Sequence, residues 1–226
     1  MTESSLWLRQ YDQNVAFAKE IDVTDTLRVD TGAPPAIPPG MTYEEIKDFY
    51  KKTFKNMAKR AAKDGFNLVW EFEPGFIVNE PANIVEVVKA VDEPNFKLEF
   101  DTCHANNCAK GVGHIEKGMV LEGGIMEFID MCKDLIGLVH VIDSDDTVMN
   151  TGIEITDNDG NIIDLVTSRH SAFGEGFLNF DEILPALVNR ANYTNDWWVI
   201  DMESNPIEYA ITALTFLKNL NQKLFV

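Results

Sequence analysis

Short apolar runs alternate along the chain with longer segments that have helical periodicity. The runs have the length of strands and occur at Thr26–Asp30, Asn67–Trp70, Lys97–Phe100, Gly137–Ile142 and Trp197–Met202. The intervening segments place apolar residues three or four positions apart, as amphipathic helices do. This order of strand, helix and strand predicts an α/β fold with a parallel sheet and right-handed crossovers.

The clearest helix is predicted between Thr42 and Gly65. Thr42 and Glu45 have the spacing of a capping box, and glycine commonly ends a helix. The apolar positions between them are Ile46, Phe49, Tyr50, Phe54, Met57 and Ala61. Further helices are predicted over about residues 5–20, from Pro81, through Ile125 to Cys132, from Asn179 with Glu182, and from Asn205.

Residues 152–166 interrupt this alternation. Strand-like runs lie on both sides of Asp159-Gly160, so a β-hairpin is predicted to be inserted here. About six core strands are expected in total, whereas a closed β/α barrel has eight. With 226 residues and 45% hydrophobic content, the chain is expected to form one domain over residues 1–226.

The composition narrows the classes of partner and compartment. Acidic residues outnumber basic residues by 37 to 19, and the net charge of −18 disfavours nucleic acid as a partner. The N-terminus lacks the pattern of a signal peptide, and no window is apolar enough for a membrane helix, so a cytoplasmic protein is expected. The cysteines are expected to be reduced, with Cys103 and Cys108 flanking a loop at a strand end.

Acidic residues and histidines lie at the C-terminal ends of the predicted strands. They are Glu71 and Glu73, Asp101 and His104, His140 and Asp143, and Asp201 and Glu203. Because the ends of parallel strands face the same edge of a sheet, side chains far apart in sequence can converge there. Carboxylates together with imidazoles suit manganese, zinc, cobalt or magnesium. The strand ends therefore predict a site for one divalent metal ion.

Each of these residues also has an ordinary structural interpretation. Asp101 could cap the turn that follows it and leave His104 in solvent. His140 lies in an apolar run, where a lone histidine is commonly part of the core. Glu73 could be a solvated charge, whereas Trp70 implies buried surroundings for Glu71. Glu71 is therefore the preferred ligand of the two glutamates.

The segment from Arg169 to Gly176 is a candidate for substrate binding. Arg169 could hold a phosphate or a carboxylate, and His170 lies beside it. Gly174 and Gly176 would let backbone N–H groups approach a ligand closely, although an ordinary turn would have the same composition. Arg169 and His170 are accordingly predicted to bind substrate.

These motifs resemble the xylose isomerase-like TIM barrel superfamily, in particular its sugar phosphate isomerase/epimerase group. That group also includes the class II apurinic endonucleases, which are the family 2 AP endonucleases. The resemblance runs from about Leu27 to the C-terminus. Its motifs are Trp-Glu-Phe-Glu-Pro at Glu71, Asp-Thr-Cys-His-Ala at Asp101, Val-His-Val-Ile-Asp at His140, the segment from Arg169, and the acid after Trp-Trp-Val-Ile.

The resemblance implies that one divalent cation is held by a Glu, an Asp, a His and a final acid. The matching residues are Glu71, Asp101, His140 and Asp201, and His104 would contact the substrate. Relatives usually have Glu at the last position, so Glu203 is an alternative to Asp201 as the fourth ligand.

Relatives also usually have two further βα units before the strand at Leu27. The resemblance therefore implies an incomplete parallel (β/α) barrel. Exposed sheet edges at the gap would favour a homo-oligomer such as a dimer, or would mark a truncated product.

The expected function is a divalent-metal-dependent isomerase or epimerase that acts on a small sugar or a sugar-like hydroxy-carbonyl compound. The cation would polarise the carbonyl, and Glu71 together with Asp201 or Glu203 would move the proton. One alternative is a phosphodiester hydrolase of the AP endonuclease type, although Ser168 stands where that branch has a metal-binding Asp. The other alternative is a non-catalytic, truncated barrel.

Overall fold

A parallel sheet of five strands forms the centre of the described part of the chain. The computed structural model describes residues 4–23, 25–31, 37–112, 120–156, 160–201 and 207–225. In chain order the strands are β1 (Thr26–Val29), β2 (Asn67–Glu71), β3 (Phe96–Asp101), β4 (Ile136–Val141), β5 (Asp143–Thr156), β6 (Ile162–Ser171) and β7 (Trp198–Ile200). The sheet has the order β1-β2-β3-β4-β7 with every neighbouring pair parallel, and it forms an incomplete barrel.

The predicted alternation of strands and helices is confirmed. The helices are α1 (Ser4–Glu20), α2 (Tyr43–Asp64), α3 (Pro81–Val91), α4 (Thr102–Ala109), α5 (Gly124–Met131), α6 (Phe180–Asn189) and α7 (Ile207–Phe225). The predicted start of the last helix at Asn205 lies outside the described residues. Asn179 is the N-cap of α6, but its side chain donates to the Glu182 carboxylate and makes no capping bond to the backbone.

Helix α2 begins and ends where its sequence predicts. The Thr42 hydroxyl accepts a hydrogen bond from the Glu45 N–H, and the Glu45 carboxylate accepts one from the Thr42 N–H, which completes the capping box. Gly65 ends the helix at φ 84°, a left-handed conformation in which glycine has no side chain to clash.

Aromatic rings pack α1 and α2 against the sheet. Phe54 of α2 is fully buried, and its ring centroid lies 5.3 Å from Trp70 of β2 and 5.2 Å from Phe96 of β3. Trp7 of α1 lies 6.1 Å from the same ring. Phe54 therefore joins two helices and two strands in one apolar cluster.

Helix α4 replaces the loop that was expected at the end of β3. Cys103 and Cys108 lie on this helix, and both are buried. All of its residues are buried, so the helix has no solvent-exposed polar face. Its sequence therefore lacks the apolar periodicity of an amphipathic helix. The Asp101 carboxylate caps it by accepting from the His104 N–H at 2.8 Å.

The inserted hairpin is confirmed, but it is longer than predicted. β5 begins directly after β4 and pairs antiparallel with β6, so the parallel sheet has five strands where about six were expected. The hairpin contacts the loop after β2, where the Thr167 hydroxyl hydrogen-bonds the Glu73 carboxylate. A Cβ at Gly75 would lie 2.1 Å from the Val166 carbonyl oxygen, so only glycine permits this approach.

Within the described ranges, no helix combines the length and apolar character needed to cross a membrane.

Replacing Phe54 with Ala should lower the free energy of unfolding by about 3–5 kcal/mol, because the substitution leaves a cavity between the helices and the sheet. Urea unfolding followed by circular dichroism measures this change. Phe17→Ala is the matched control, since Phe17 is 61% exposed and its loss should change the free energy by less than about 0.5 kcal/mol. Equal effects of the two substitutions would contradict this description of the core.

Candidate metal centre

The register of the sheet brings the predicted strand-end residues together. Glu71 is the last residue of β2, Asp101 is the last residue of β3, and His140 lies one position before the end of β4. Asp101 and His140 are Cα partners across β3 and β4. Asp201 follows the last residue of β7, whose pairing with β4 places it at the same edge.

The four side chains face one another closely. Each offers one ligand atom, and these atoms all lie within 4.8 Å of one another. His140 Nδ1 is 3.5 Å from Glu71 Oε1 and 3.8 Å from Asp201 Oδ2. Ligands of a tetrahedral ion at about 2.0–2.2 Å would lie about 3.3–3.6 Å apart. The two distances from His140 are close to this range, so the cluster is near the size of a metal site.

Burial shifts the pKa values of the ionisable groups in this cluster. Burial, with repulsion from Glu71, raises the pKa of Asp101 well above its ordinary value. Burial also raises the pKa of Glu71. Burial alone would lower the pKa of His140. The carboxylates of Asp201, Glu71 and Glu99 outweigh this effect and raise that pKa to about 12. The cluster thus favours the addition of positive charge.

Two atoms of the cluster are buried without a hydrogen-bond partner in the described residues. They are Asp101 Oδ2 and His140 Nδ1. Buried polar atoms are normally satisfied, and a cation between these two would satisfy both. Because three carboxylates and an imidazole are also ligands that divalent ions accept, the residues present fit such an ion.

Arg28 of β1 provides a positive charge at the rim of the cluster. Its Nη2 lies 2.5 Å from Glu71 Oε2, so the other oxygen of Glu71 remains directed at His140. Arg28 also lines a cavity of about 820 Å³ between α1, β1 and α2. The four cluster residues do not line this cavity. Arg28 contacts both the cavity and the cluster.

The predicted substrate-binding histidines flank the cluster. His104 Nε2 lies 3.9 Å from Glu71 Oε1, and His170 Nδ1 lies 3.7 Å from Asp201 Oδ2. The two imidazole rings are 5.1 Å apart. His104 is buried rather than solvated, and Asp101 both caps α4 and belongs to the cluster. Asp101, His104 and His170 form a second group whose atoms are close enough to hold an ion.

Other predicted residues are not gathered at this point. Arg169 is largely exposed and pairs with Asp145 at 3.4 Å. Glu73 bonds Thr167 of the hairpin. Glu203 lies outside the described residues.

Gly174 and Gly176 were expected to direct their N–H groups at a ligand, but these groups bond within the protein instead. The N–H groups of Gly174 and Gly176 donate to the carboxylate of buried Asp143, at 2.9 and 3.1 Å. Leu178 donates to the same carboxylate. A Cβ at Gly176 would lie 2.3 Å from an Asp143 oxygen, so this glycine serves an internal contact.

One buried acid beside the cluster was not predicted. Glu99 of β3 is 1% exposed, and its Oε1 lies 2.9 Å from His140 Nε2. Residues 99 and 101 share one face of the strand because side chains alternate. This alternation is the signal that indicates Glu99, although Glu99 lies between the apolar residues Leu98 and Phe100, inside the strand.

Comparison with known proteins identifies the fold. The chain is 26% identical over 178 residues to an uncharacterized protein, MJ1311, of Methanocaldococcus jannaschii, and it spans about half (49%) of that protein's length. A crystal structure of a D-tagatose 3-epimerase-like protein matches 93% of this chain and 67% of its own, with a TM-score of 0.65 and 22% identity.

A crystal structure of the IOLI protein with a binding zinc atom matches 96% of this chain and 70% of its own, with a TM-score of 0.67 and 18% identity. At such identities these likenesses concern the fold. The family model described as "Xylose isomerase-like TIM barrel" matches residues 6–220. The chain therefore belongs to the xylose isomerase-like TIM barrel family.

Proposed function

We propose that this protein is a divalent-metal-dependent isomerase or epimerase that moves a proton on a small sugar or a sugar-like hydroxy-carbonyl compound. The observation that carries the proposal is the convergence of Glu71, Asp101, His140 and Asp201 within 4.8 Å. The zinc in the IOLI structure and the epimerase-like name of another structural neighbour are consistent with this choice.

These four residues would hold one divalent ion, of manganese, zinc, cobalt or magnesium. When bound, the ion would supply Lewis-acid chemistry by polarising a substrate carbonyl and its neighbouring hydroxyl, which acidifies the adjacent C–H bond. The protein's own groups must then exclude water, orient the sugar and carry the proton.

Glu71 and Asp201 are the proposed proton carriers. Glu71 is held from one side by Arg28, so its carboxylate has a fixed direction. Asp201 has a more exposed side chain, at 20% against 3% for Glu71, and a substrate entering from solvent would meet it first. Two carboxylates at the ends of different strands can serve the two faces of one carbon atom, as an epimerisation requires.

His104 and His170 are proposed to bind the substrate's oxygen atoms. Burial, followed by the influence of His170, holds the pKa of His104 well below its ordinary value. His104 is therefore neutral near pH 7 and can donate one hydrogen bond without adding charge. A hydroxyl group is a suitable acceptor for such a donor.

The hydrolase alternative has less support. The residue at the position of the expected metal-binding Asp is Ser168, whose hydroxyl accepts from Asn107 Nδ2 at 3.0 Å inside the protein. A serine already engaged there does not provide the missing carboxylate. The net charge of −18 also opposes binding to a nucleic acid.

Asp101→Asn should weaken metal binding by more than about 100-fold, beyond the effect usual for residues that only support a ligand. Titration calorimetry with Co²⁺ measures this change in metal-free protein. Asn retains the ability to cap α4, so the fold should persist. The control is Asp130→Asn, which removes a surface acid paired with Arg190 and should leave the affinity unchanged. Wild-type protein that binds no divalent ion would end the proposal.

The metal-loaded protein should exchange a carbon-bound hydrogen of at least one sugar with D₂O, as seen by proton NMR across a panel of aldoses and ketoses. Glu71→Gln should slow this exchange by about 10²–10⁴-fold, because the amide cannot carry the proton. Glu86→Gln, which changes a half-exposed carboxylate paired with Lys47 and Lys51 of α2, is the control and should exchange normally. Metal binding without exchange on any sugar of the panel would instead favour the non-catalytic barrel.

A further inference from the structure

Besides the three acids among the proposed ligands, a fourth acid lies beside the metal centre, and it has a contact that those ligands do not explain. Glu99 lies two residues before Asp101 on the same face of β3, and its Cα partner on β2 is Glu71. It is 1% exposed. A carboxylate in such surroundings is stable only when a positive group or a hydrogen-bond donor faces it.

The positive group that faces Glu99 is the imidazole of His140. Glu99 Oε1 lies 2.9 Å from His140 Nε2, which is an ion-pair distance. The other ring nitrogen, Nδ1, faces the carboxylates of Glu71 and Asp201 at 3.5 and 3.8 Å. The two nitrogens of one ring are thus directed at different partners.

We propose that Glu99 is the positioning residue of the metal centre: it holds the Nε2–H of His140 and so directs the Nδ1 lone pair at the cation. This inference rests on the proposed metal site. The nitrogen that binds a metal is selected by the hydrogen bond of the other nitrogen. A carboxylate in that role also makes the imidazole a more basic ligand.

The strand geometry supports this separate role for Glu99. Asp101 is paired in register with His140, while Glu99 is paired with Leu138, two residues farther from the strand ends. Glu99 therefore reaches the ring from the interior side, and the proposed ligands approach it from the mouth. Neither Glu99 oxygen has a hydrogen-bond partner of regular geometry in the described residues, so the close approach of Oε1 to His140 Nε2 is the interaction that a substitution would remove.

The test uses the full chain, metal-free and then titrated with Co²⁺, with calorimetry and the visible absorption of the bound ion as readouts. Glu99→Leu should weaken Co²⁺ binding by about 10–100-fold and alter the cobalt spectrum, because His140 loses its orientation. Glu99→Gln keeps an acceptor for Nε2–H and should recover most of the affinity. Glu86→Gln is the surface control and should match the wild type.

Three outcomes would overturn the inference. Glu99→Leu could bind Co²⁺ with wild-type affinity and spectrum, which would show that the contact does not matter. Glu99→Gln could lose binding as completely as Asp101→Asn, which would make Glu99 a ligand. Wild-type protein could bind no Co²⁺, which would remove the proposed function itself, whereas the first two outcomes would leave that function intact. Circular dichroism of each variant separates these results from loss of the fold.

Discussion

Buried negative charge at the C-terminal ends of β2 and β3 is the main electrostatic constraint in this protein. Glu71, Glu99 and Asp101 are almost completely buried, and Asp201 lies beside them. Burying carboxylates is unfavourable unless positive charge accompanies them. Arg28 and His140 supply part of that charge, and the raised pKa values of Glu71 and Asp101 indicate that more is needed.

The fold creates this concentration of charge because every strand of the central sheet runs in the same direction. Parallel pairing aligns the strand ends, and the β3–β4 register places Asp101 directly beside His140. The Asp101 carboxylate also caps α4, which leaves its second oxygen for the cluster. Asp101 therefore ends β3, caps α4 and provides one of the carboxylates of the cluster.

Sequence reasoning predicted the strand ends well because a buried strand followed by an acid is a local pattern. The convergence of Glu71, Asp101, His140 and Asp201 followed from one assumption, that the strands are parallel. Helix α4 could not be predicted in this way, since a helix buried on all sides has no amphipathic period. Whether the glycines after Arg169 would face a ligand or Asp143 depends on tertiary contacts that composition does not encode.

The extent of the hairpin and the role of Glu99 escaped prediction for a related reason. The strand pairing of β5 begins at Asp143, within a run of polar residues that has little strand propensity. Glu99 lies inside an apolar strand, and its importance depends on which atom of His140 it touches. Such atom-level relations arise from register, which is a property of the whole sheet.

One cation is proposed to lie among side chains from three strand ends and the segment after β7. Anomalous diffraction from crystals grown with Co²⁺ would locate such an ion. We expect one peak in contact with Glu71, Asp101, His140 Nδ1 and Asp201, at about 2.0–2.2 Å from each ligand atom, with Glu99 on the far side of the imidazole. A peak elsewhere, or no peak between these four side chains, would contradict it.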